Sequence, residues 1–171
     1  TKSSEMEKDL GKELEILNAK LDDLRKSSTN ENEISLVLLE IGSVYHKQGK
    51  NDEALKYYNQ FIESKKRPKV ISIEAAIDNI GTICFGERKY ELALTYYNQS
   101  LEMKKLSLPL NHGKIAATLN NIGSVYKMQG KYEEALKIFN ESLEIYKNTL
   151  PLNHRQIAKT LDNFGFVFDK Q

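Results

Sequence analysis

Apolar residues recur at spacings of three and four along most of the chain, which is the periodicity of one face of an α-helix. Glycines, prolines and short polar stretches divide this pattern into eight segments. The pattern predicts helices at about 3–26, 32–48, 52–66, 70–86, 89–106, 111–130 and 132–150, and from 153 to the chain end. The predicted fold class is therefore all-α.

The chain also repeats itself with a long period. Residues 108–130 read LPLNHGKIAATLNNIGSVYKMQG, and from residue 150 the sequence reads LPLNHRQIAKTLDNFGFVFDKQ. Asn111 and Asn153, which we predict to cap helices, lie 42 residues apart, and so do Gly123 and Gly165. Such a period is typical of repeat proteins, in which each unit buries its apolar face against its neighbours. We predict an N-terminal helix, 1–30, and a repeat domain, 31–171, with repeats at about 31–68, 69–109, 110–151 and an incomplete 152–171.

Two interpretations of the N-terminal helix are open. Its leucines have the spacing of a short heptad seam, which would be the end of a coiled coil. Alternatively, the segment aligns with 132–148, so that Leu14 matches Leu136 and Leu21 matches Leu143. We favour this second interpretation, in which the helix is a degenerate second helix of a preceding repeat and caps the domain.

Small residues occur at equivalent places inside the predicted helices. A glycine within a helix costs about 1 kcal/mol relative to alanine, so its recurrence needs a packing reason. We expect the two helices of each repeat to approach closely there. These positions are Gly42, Gly81, Gly123 and Gly165 in the first helices and Ala54, Ala93 and Ala135 in the second helices.

The residues that recur resemble the signature of the tetratricopeptide repeat (TPR). In the third repeat they are Leu119, Ile122, Gly123, Tyr126, Ala135, Phe139 and Ser142. The usual period is about 34 residues, and the longer period here is similar to the kinesin light chain class. The resemblance implies a right-handed superhelical solenoid. It also implies a non-catalytic module that binds a peptide segment or partner protein in its concave groove. The alternatives are a structural or self-assembly module and a regulatory region of a larger enzyme or adaptor.

The resemblance further assigns first-helix residues to the concave groove. The side-chain amide of asparagine offers two donors and an acceptor. The asparagines at 79, 121 and 163 would thus form a ladder that clamps the backbone of an extended peptide. In kinesin light chain-like repeats, matching asparagines are associated with such binding. Alternatively, each asparagine bridges neighbouring helices. The candidate residues are Asp78, Asn79, Thr82, Asn120, Asn121, Ser124, Lys127, Lys159, Asp162, Asn163 and Phe166.

Another TPR function is capture of the acidic carboxyl terminus of a chaperone by a clamp of lysine, asparagine and arginine residues. The sequence does not favour this function, because only Asn79 fits the clamp. The other clamp positions hold Leu39, Ser43, Ala117 and Asn121.

Composition narrows the remaining function classes. The net charge is +1, from 25 basic and 24 acidic residues that are interspersed, so we expect no nucleic-acid partner and no membrane partner. The single Cys84 suits a reducing compartment, and we predict a cytoplasmic location. His112 and His154 lie one repeat apart, about 10 Å, too far for a shared metal with bonds of about 2 Å, and we predict both to be first-turn helix residues. We expect no cofactor, no metal and no catalytic activity.

The C-terminal repeat has a first helix but no second helix in this sequence, which begins at Thr1 without methionine. We expect the chain to be part of a longer protein. We also expect Leu161, Phe164 and Phe168 to lack the cover that the second helix gives in the third repeat. An exposed apolar face marks a contact surface. We therefore predict that another surface covers these side chains, for example that of a second copy of the chain in a homodimer formed through the fourth repeat.

Overall fold

The computed structural model describes residues 2–27, 31–64, 70–107, 111–149 and 154–170. These residues form helices and no strands, so the predicted all-α fold class is confirmed. The predicted cap Asn153 lies outside the described residues. The helices are α1 (Lys2–Ser27), α2 (Glu31–Lys47), α3 (Asn51–Glu63), α4 (Val70–Gly86), α5 (Tyr90–Leu106), α6 (His112–Met128), α7 (Tyr132–Thr149) and α8 (Arg155–Phe168).

The chain divides into two compact units, Thr1–Ile80 and Gly81–Gln171. In the first unit, α2 packs against both α1 and α3. An ion pair of 3.2 Å between Lys20 and Glu33 also joins α1 to α2. The packing of α1 on α2 supports the capping interpretation of the N-terminal helix, which stays a prediction. The buried side chains of this unit include Leu10, Leu14, Leu17 and Leu21 of α1, Val37, Ile41 and Val44 of α2, and Ala54, Tyr58 and Phe61 of α3.

The second unit contains the end of α4 and helices α5 to α8. Here α6 packs against α5 and α7, and α7 packs against α8. Two apolar clusters hold the last three helices together, because each draws residues from α7 and α8. One consists of Ala116, Leu143, Tyr146 and Ile157, and the other of Ala135, Phe139 and Val167 with Tyr126, Tyr132, Leu136 and Phe164 at its edge.

Close helix approach is confirmed at three of the four glycines. A Cβ atom would lie 2.8 Å from the Tyr58 ring at Gly42, 2.8 Å from the Tyr97 ring at Gly81 and 2.7 Å from the Phe139 ring at Gly123. At Gly165, nothing lies within 4 Å. The glycines therefore make room chiefly for aromatic rings of the second helices. At Gly42 the carbonyl oxygen of Ala54 also lies close, at 3.4 Å from the position of a Cβ atom.

Some predicted helix ends are wrong. Helix α8, predicted to run to the chain end, stops at Phe168, and Asp169 is its C-cap. Helix α3 stops at Glu63 instead of continuing to 66, because the backbone of Ser64 leaves the helical conformation, with φ −57° and ψ 130°. His154 is the N-cap of α8 rather than a first-turn residue, since its Nδ1 accepts the backbone N–H of Gln156 at 3.2 Å. The predicted cap of α6 is confirmed, because Oδ1 of Asn111 accepts the backbone N–H of Lys114 at 3.0 Å.

Helix α8 exposes part of the apolar surface that the sequence predicted. Leu161 is 48% exposed and Phe168 is 65% exposed. Phe164 differs from the prediction, because it is half-buried at the edge of the cluster around Phe139. Val167 is fully buried in the same cluster. The exposed apolar face of α8 is thus narrower than predicted.

Candidate functional site

The second unit contains a cleft with a volume of about 340 Å³ that gathers many of the predicted site residues. It combines amide, hydroxyl and ammonium groups with apolar side chains. The residues that line it are Thr82, Phe85, Tyr97, Asn121, Ser124, Lys127, Met128, Lys159 and Asn163.

Lys127 is held in place across two helices. Its ammonium donates a hydrogen bond to Oδ1 of Asn163 at 2.7 Å, which links α6 to α8. The same Nζ lies 5.3 Å from the centre of the Phe166 ring, within the range of a cation–π contact. Lys170 lies over the same ring at 6.0 Å. Phe166, a predicted site residue, therefore positions a cation of the cleft without lining it.

The cleft is positively charged. Burial lowers the pKa of Lys127 below its ordinary value, and the charge of neighbouring Lys159 lowers that pKa further. None of the residues that line the cleft carries a carboxylate. The lining thus combines two basic residues with no acidic one.

Asn121 and Asn79 have different surroundings, although they occupy equivalent sequence positions. In the first unit, the Asn79 amide donates to the Tyr58 hydroxyl at 3.1 Å. The residue equivalent to Tyr58 beside Asn121 is Tyr97, whose hydroxyl shares a hydrogen bond of 3.1 Å with Thr82. In the part of the chain that the structure describes, the Asn121 side chain makes no hydrogen bond.

This difference divides the predicted asparagine ladder. The bond to Tyr58 gives Asn79 the bridging role that was the alternative to peptide contact. Asn163 lies in the cleft but also bridges two helices, because its side-chain oxygen already accepts a hydrogen bond from Lys127. Asn121 offers a side-chain amide to the cleft that no described group uses.

Other predicted site residues lie elsewhere. Asn120 is only 5% exposed and its Oδ1 has no hydrogen-bond partner among the described residues, so the prediction that it faces the groove is wrong. The reason is helical geometry, because consecutive residues on a helix point about 100° apart and Asn121 takes the cleft side. Asp162 is exposed but does not line the cleft. Asp78 belongs to the first unit and already has a polar partner.

Sequence reasoning missed three lining residues. Tyr97 is 2% exposed, as its core position requires, yet its hydroxyl shares a hydrogen bond of 3.1 Å with Thr82. Phe85 and Met128 follow Thr82 and Ser124 by three and four residues. Residues at these spacings share a helix face, so the predicted set extended by one turn would have included them.

A second cleft, of about 330 Å³, lies in the first unit. It contains Glu7 together with two lysines, so its charges are mixed, and no predicted site residue lines it. The carbonyl oxygen of the Gln48 side chain is buried there without a partner among the described groups. The lining residues are Met6, Glu7, Leu10, Lys47, Gln48 and Lys50.

Comparison with known proteins identifies the family. The chain matches the tetratricopeptide repeat over residues 33–105, 72–148 and 114–171, and it belongs to that family. No match was found among curated proteins.

Several solved structures share the fold. The apo form of RapI superimposes with a TM-score of 0.84 at 22% identity over 96% of this chain and 45% of RapI. The nearly identical TPR-like repeats of a putative kinesin light chain from Podospora anserina give 0.75 at 16% identity, over 94% of this chain and 77% of that one. The first TPR of Spaghetti (RPAP3), bound to the HSP90 peptide SRMEEVD, gives 0.61 at 21% identity, over 81% of this chain and 94% of that one. The resemblance to kinesin light chain-like repeats is therefore confirmed at the level of fold. The chain spans less than half of RapI.

The described helices include none with the length and apolar character needed to cross a bilayer. Within the same residues, no three His, Cys, Asp or Glu side chains are grouped in a way that could hold a metal ion.

Proposed function

We propose that this chain is a non-catalytic protein-interaction module that binds an extended peptide segment of a partner protein in the cleft of the second unit. The observation that carries the proposal is the unpaired side-chain amide of Asn121 in a cleft of about 340 Å³. An amide with free donors and a free acceptor can pair with a peptide backbone regardless of its sequence.

The composition of the cleft supports the same function. Ligand sites typically combine apolar walls with a few placed polar groups, in volumes of about 300–1,000 Å³. Phe85 and Met128 supply apolar surface, while Asn121 and Ser124 supply hydrogen-bonding groups. The lining has no carboxylate or imidazole that could act as a general base, which supports binding over catalysis.

The comparisons support peptide binding at the level of the fold. One structural neighbour, the first TPR of Spaghetti, is a complex with a peptide from HSP90. A groove of the same fold can therefore hold a peptide. The cytoplasmic location is part of this proposal, and its support is that the only cysteine, Cys84, is buried as a free thiol.

The test is the substitution Asn121→Ala, with Asn140→Ala on the exposed surface of α7 as the matched control. A fluorescent library of short random peptides serves as the probe. We expect Asn121→Ala to weaken peptide binding severalfold with an unchanged melting temperature, and Asn140→Ala to leave binding unaltered. A lower melting temperature with full peptide binding would show that Asn121 has a structural role instead.

Self-association is a second candidate function, and the exposed Leu161 and Phe168 of α8 favour it. We propose that these side chains pair two copies of the chain. Light scattering of Phe168→Glu tests this proposal, with Ile16→Glu, an exposed apolar position on α1, as the control. A dimer that only Phe168→Glu dissociates supports the proposal, and a monomeric wild-type chain contradicts it.

A further inference from the structure

We infer that the cleft of the first unit binds a small monocarboxylate with a short apolar tail. Gln48 and Lys50 hold its carboxylate, and Met6 and Leu10 pack against its tail. The residues that line this cleft belong to the first unit alone, so the inference goes beyond the proposed function and does not depend on it.

The first argument is an equivalent turn in the second unit that already binds a carboxylate. Residues 48–50 and residues 129–131 both read QGK and follow the first helix of a repeat. Nε2 of Gln129 donates a hydrogen bond to Oε1 of Glu91 at 2.8 Å, and Nζ of Lys131 lies 4.0 Å from the same oxygen. A glutamine and a lysine of this turn therefore receive a carboxylate from the preceding helix, α5.

The first unit has the same turn, but its preceding helix supplies no carboxylate at that position. The alignment of α1 with 132–148 puts Gly11 at the place of Glu133, which lies one period of 42 residues after Glu91. A Cβ atom at Gly11 would have nothing within 4 Å. Among the described residues, neither Lys47 nor Lys50 forms an ion pair. The groups that bind Glu91 in the second unit thus have open counterparts in the first.

The second argument is the orientation of the Gln48 side chain. Its carbonyl oxygen is buried without a partner among the described groups. Its amide nitrogen, which also makes no hydrogen bond there, keeps access to the cleft. Gln129 is oriented in the same way, with a buried carbonyl oxygen and an amide nitrogen that donates to Glu91. Gln48 therefore presents the donor that its counterpart uses to bind a carboxylate.

Lys50 is also positioned like its counterpart. Its Nζ lies 5.9 Å from the centre of the Tyr45 ring, and Nζ of Lys131 lies 5.9 Å from the centre of the Tyr126 ring. Both distances are within the range of a cation–π contact. The two ammonium groups are thus held alike beside their turns, and binding of a carboxylate needs little further ordering of Lys50.

The other lining residues decide which carboxylate fits. A volume of about 330 Å³ lies at the lower end of the range for ligand sites, which suits a small molecule. Met6 and Leu10 of α1 offer apolar surface to a short tail. The two lysines, Lys47 and Lys50, outnumber Glu7, the acidic residue of the lining, by one charge. The cleft therefore favours a ligand with a single negative charge.

The experiment titrates the full isotope-labelled chain with hexanoate, hexanol or hexylammonium and follows the titration by two-dimensional NMR. The three probes share an apolar tail and differ in charge. We expect hexanoate to shift the side-chain amide of Gln48 saturably, with a Kd on the order of 1 mM, as its few atoms allow. Hexanol and hexylammonium should bind at least about tenfold more weakly. Equal binding of hexanol would overturn the inference, because the carboxylate would then contribute nothing.

Variants locate the carboxylate within the cleft. Gln48→Ala and Lys50→Gln should each weaken hexanoate binding about tenfold, since each removes a hydrogen bond or a charge that the anion uses. Lys56→Gln, an exposed lysine of α3 outside the cleft, removes the same charge as Lys50→Gln and should leave the affinity unchanged. An equal loss in Lys56→Gln would contradict the inference, because it would show a general charge effect.

Two further variants change the charge that faces the ligand. Gly11→Glu supplies from α1 the carboxylate that α5 supplies in the second unit, so it should weaken hexanoate binding about tenfold by competition. Its melting temperature should not fall, because this helical glycine has open space around it. Gly11→Ala is the control and should bind hexanoate normally. Glu7→Gln removes a like charge and should strengthen binding. Undiminished binding in Gly11→Glu, or weaker binding in Glu7→Gln, would overturn the inference.

Discussion

At the scale of single residues, Gly42, Gly81 and Gly123 are explained by the aromatic rings that lie against them. A methyl group at each position would enter a ring of the following helix, at distances that real Cβ atoms do not reach. Both groups are fixed by packed helices, so neither can move away cheaply. The sequence predicted the crossings but not the rings, since a repeat pattern does not say which side chain of the second helix lies opposite.

Gly123 and Gly165 provide a matched pair for testing this packing. Gly123→Ala should lower the free energy of unfolding by about 1–3 kcal/mol, because it overpacks the contact with Phe139. Gly165→Ala has open space and should raise that free energy by up to about 1 kcal/mol through helix propensity. Urea denaturation measures both. Equal midpoints for the two variants would contradict the assigned close contact.

His46 provides a test of pH dependence. Burial lowers the pKa of this imidazole below its ordinary value of 6.5. As pH falls, the unfolded chain therefore takes up this proton before the folded chain does, so acidification favours unfolding. The resulting loss of folding stability grows as pH falls from above 6.5 through the folded-state pKa of His46.

The variant His46→Gln removes this proton uptake. Between about pH 7.5 and pH 5, its melting temperature should fall less than that of the wild type. His112→Gln, at an exposed position, is the matched control. A pH dependence in His46→Gln as steep as that of the wild type would show that His46 does not contribute.

At the scale of elements, the turns after α2, α4 and α6 share one hydrogen-bond pattern. In each, a residue with positive φ ends the helix, and the next N–H bonds back to a carbonyl five residues earlier, as in a Schellman motif. Gly49 and Gly130 hold this position with φ of 73°, but after α4 it is held by Arg88 with φ of 60°. Glycine at 49 and 130 signals this turn in the sequence, whereas the same turn at Arg88 has no glycine at that position to signal it.

Arg88 is therefore a strained position that glycine should relieve. The left-handed conformation costs a residue with a Cβ about 1–2 kcal/mol, and the greater freedom of glycine in the unfolded chain returns part of that amount. Arg88→Gly should thus raise the free energy of unfolding by up to about 1 kcal/mol. Gly130→Ala, the reverse change at the equivalent position, should lower it. Thermal or urea unfolding of both variants checks the pair, and a destabilised Arg88→Gly would contradict the account.

At the scale of the whole molecule, the sequence predicted the repeating elements better than the site. Helices and repeats follow from periodicity, which is a local property repeated along the chain. The cleft depends on particular side-chain contacts. The Tyr97 hydroxyl bonds to Thr82, the Asn121 side chain has no hydrogen-bond partner among the described groups, and Asn120 turns inward one position away. A repeat signature treats these positions as equivalent, so only the side-chain contacts separate Asn121 from Asn79.

The central claim is that a peptide lies against Asn121 in the second unit. Two-dimensional NMR of the isotope-labelled 19.6 kDa chain, titrated with the library of short random peptides, tests this claim most directly. We predict that the side-chain amides of Asn121 and Asn163, and the backbone amides of Ser124 and Lys127, shift progressively until saturation. Shifts confined to the cleft of the first unit or to the exposed face around Leu161 and Phe168, with the Asn121 amide unmoved, would contradict the account.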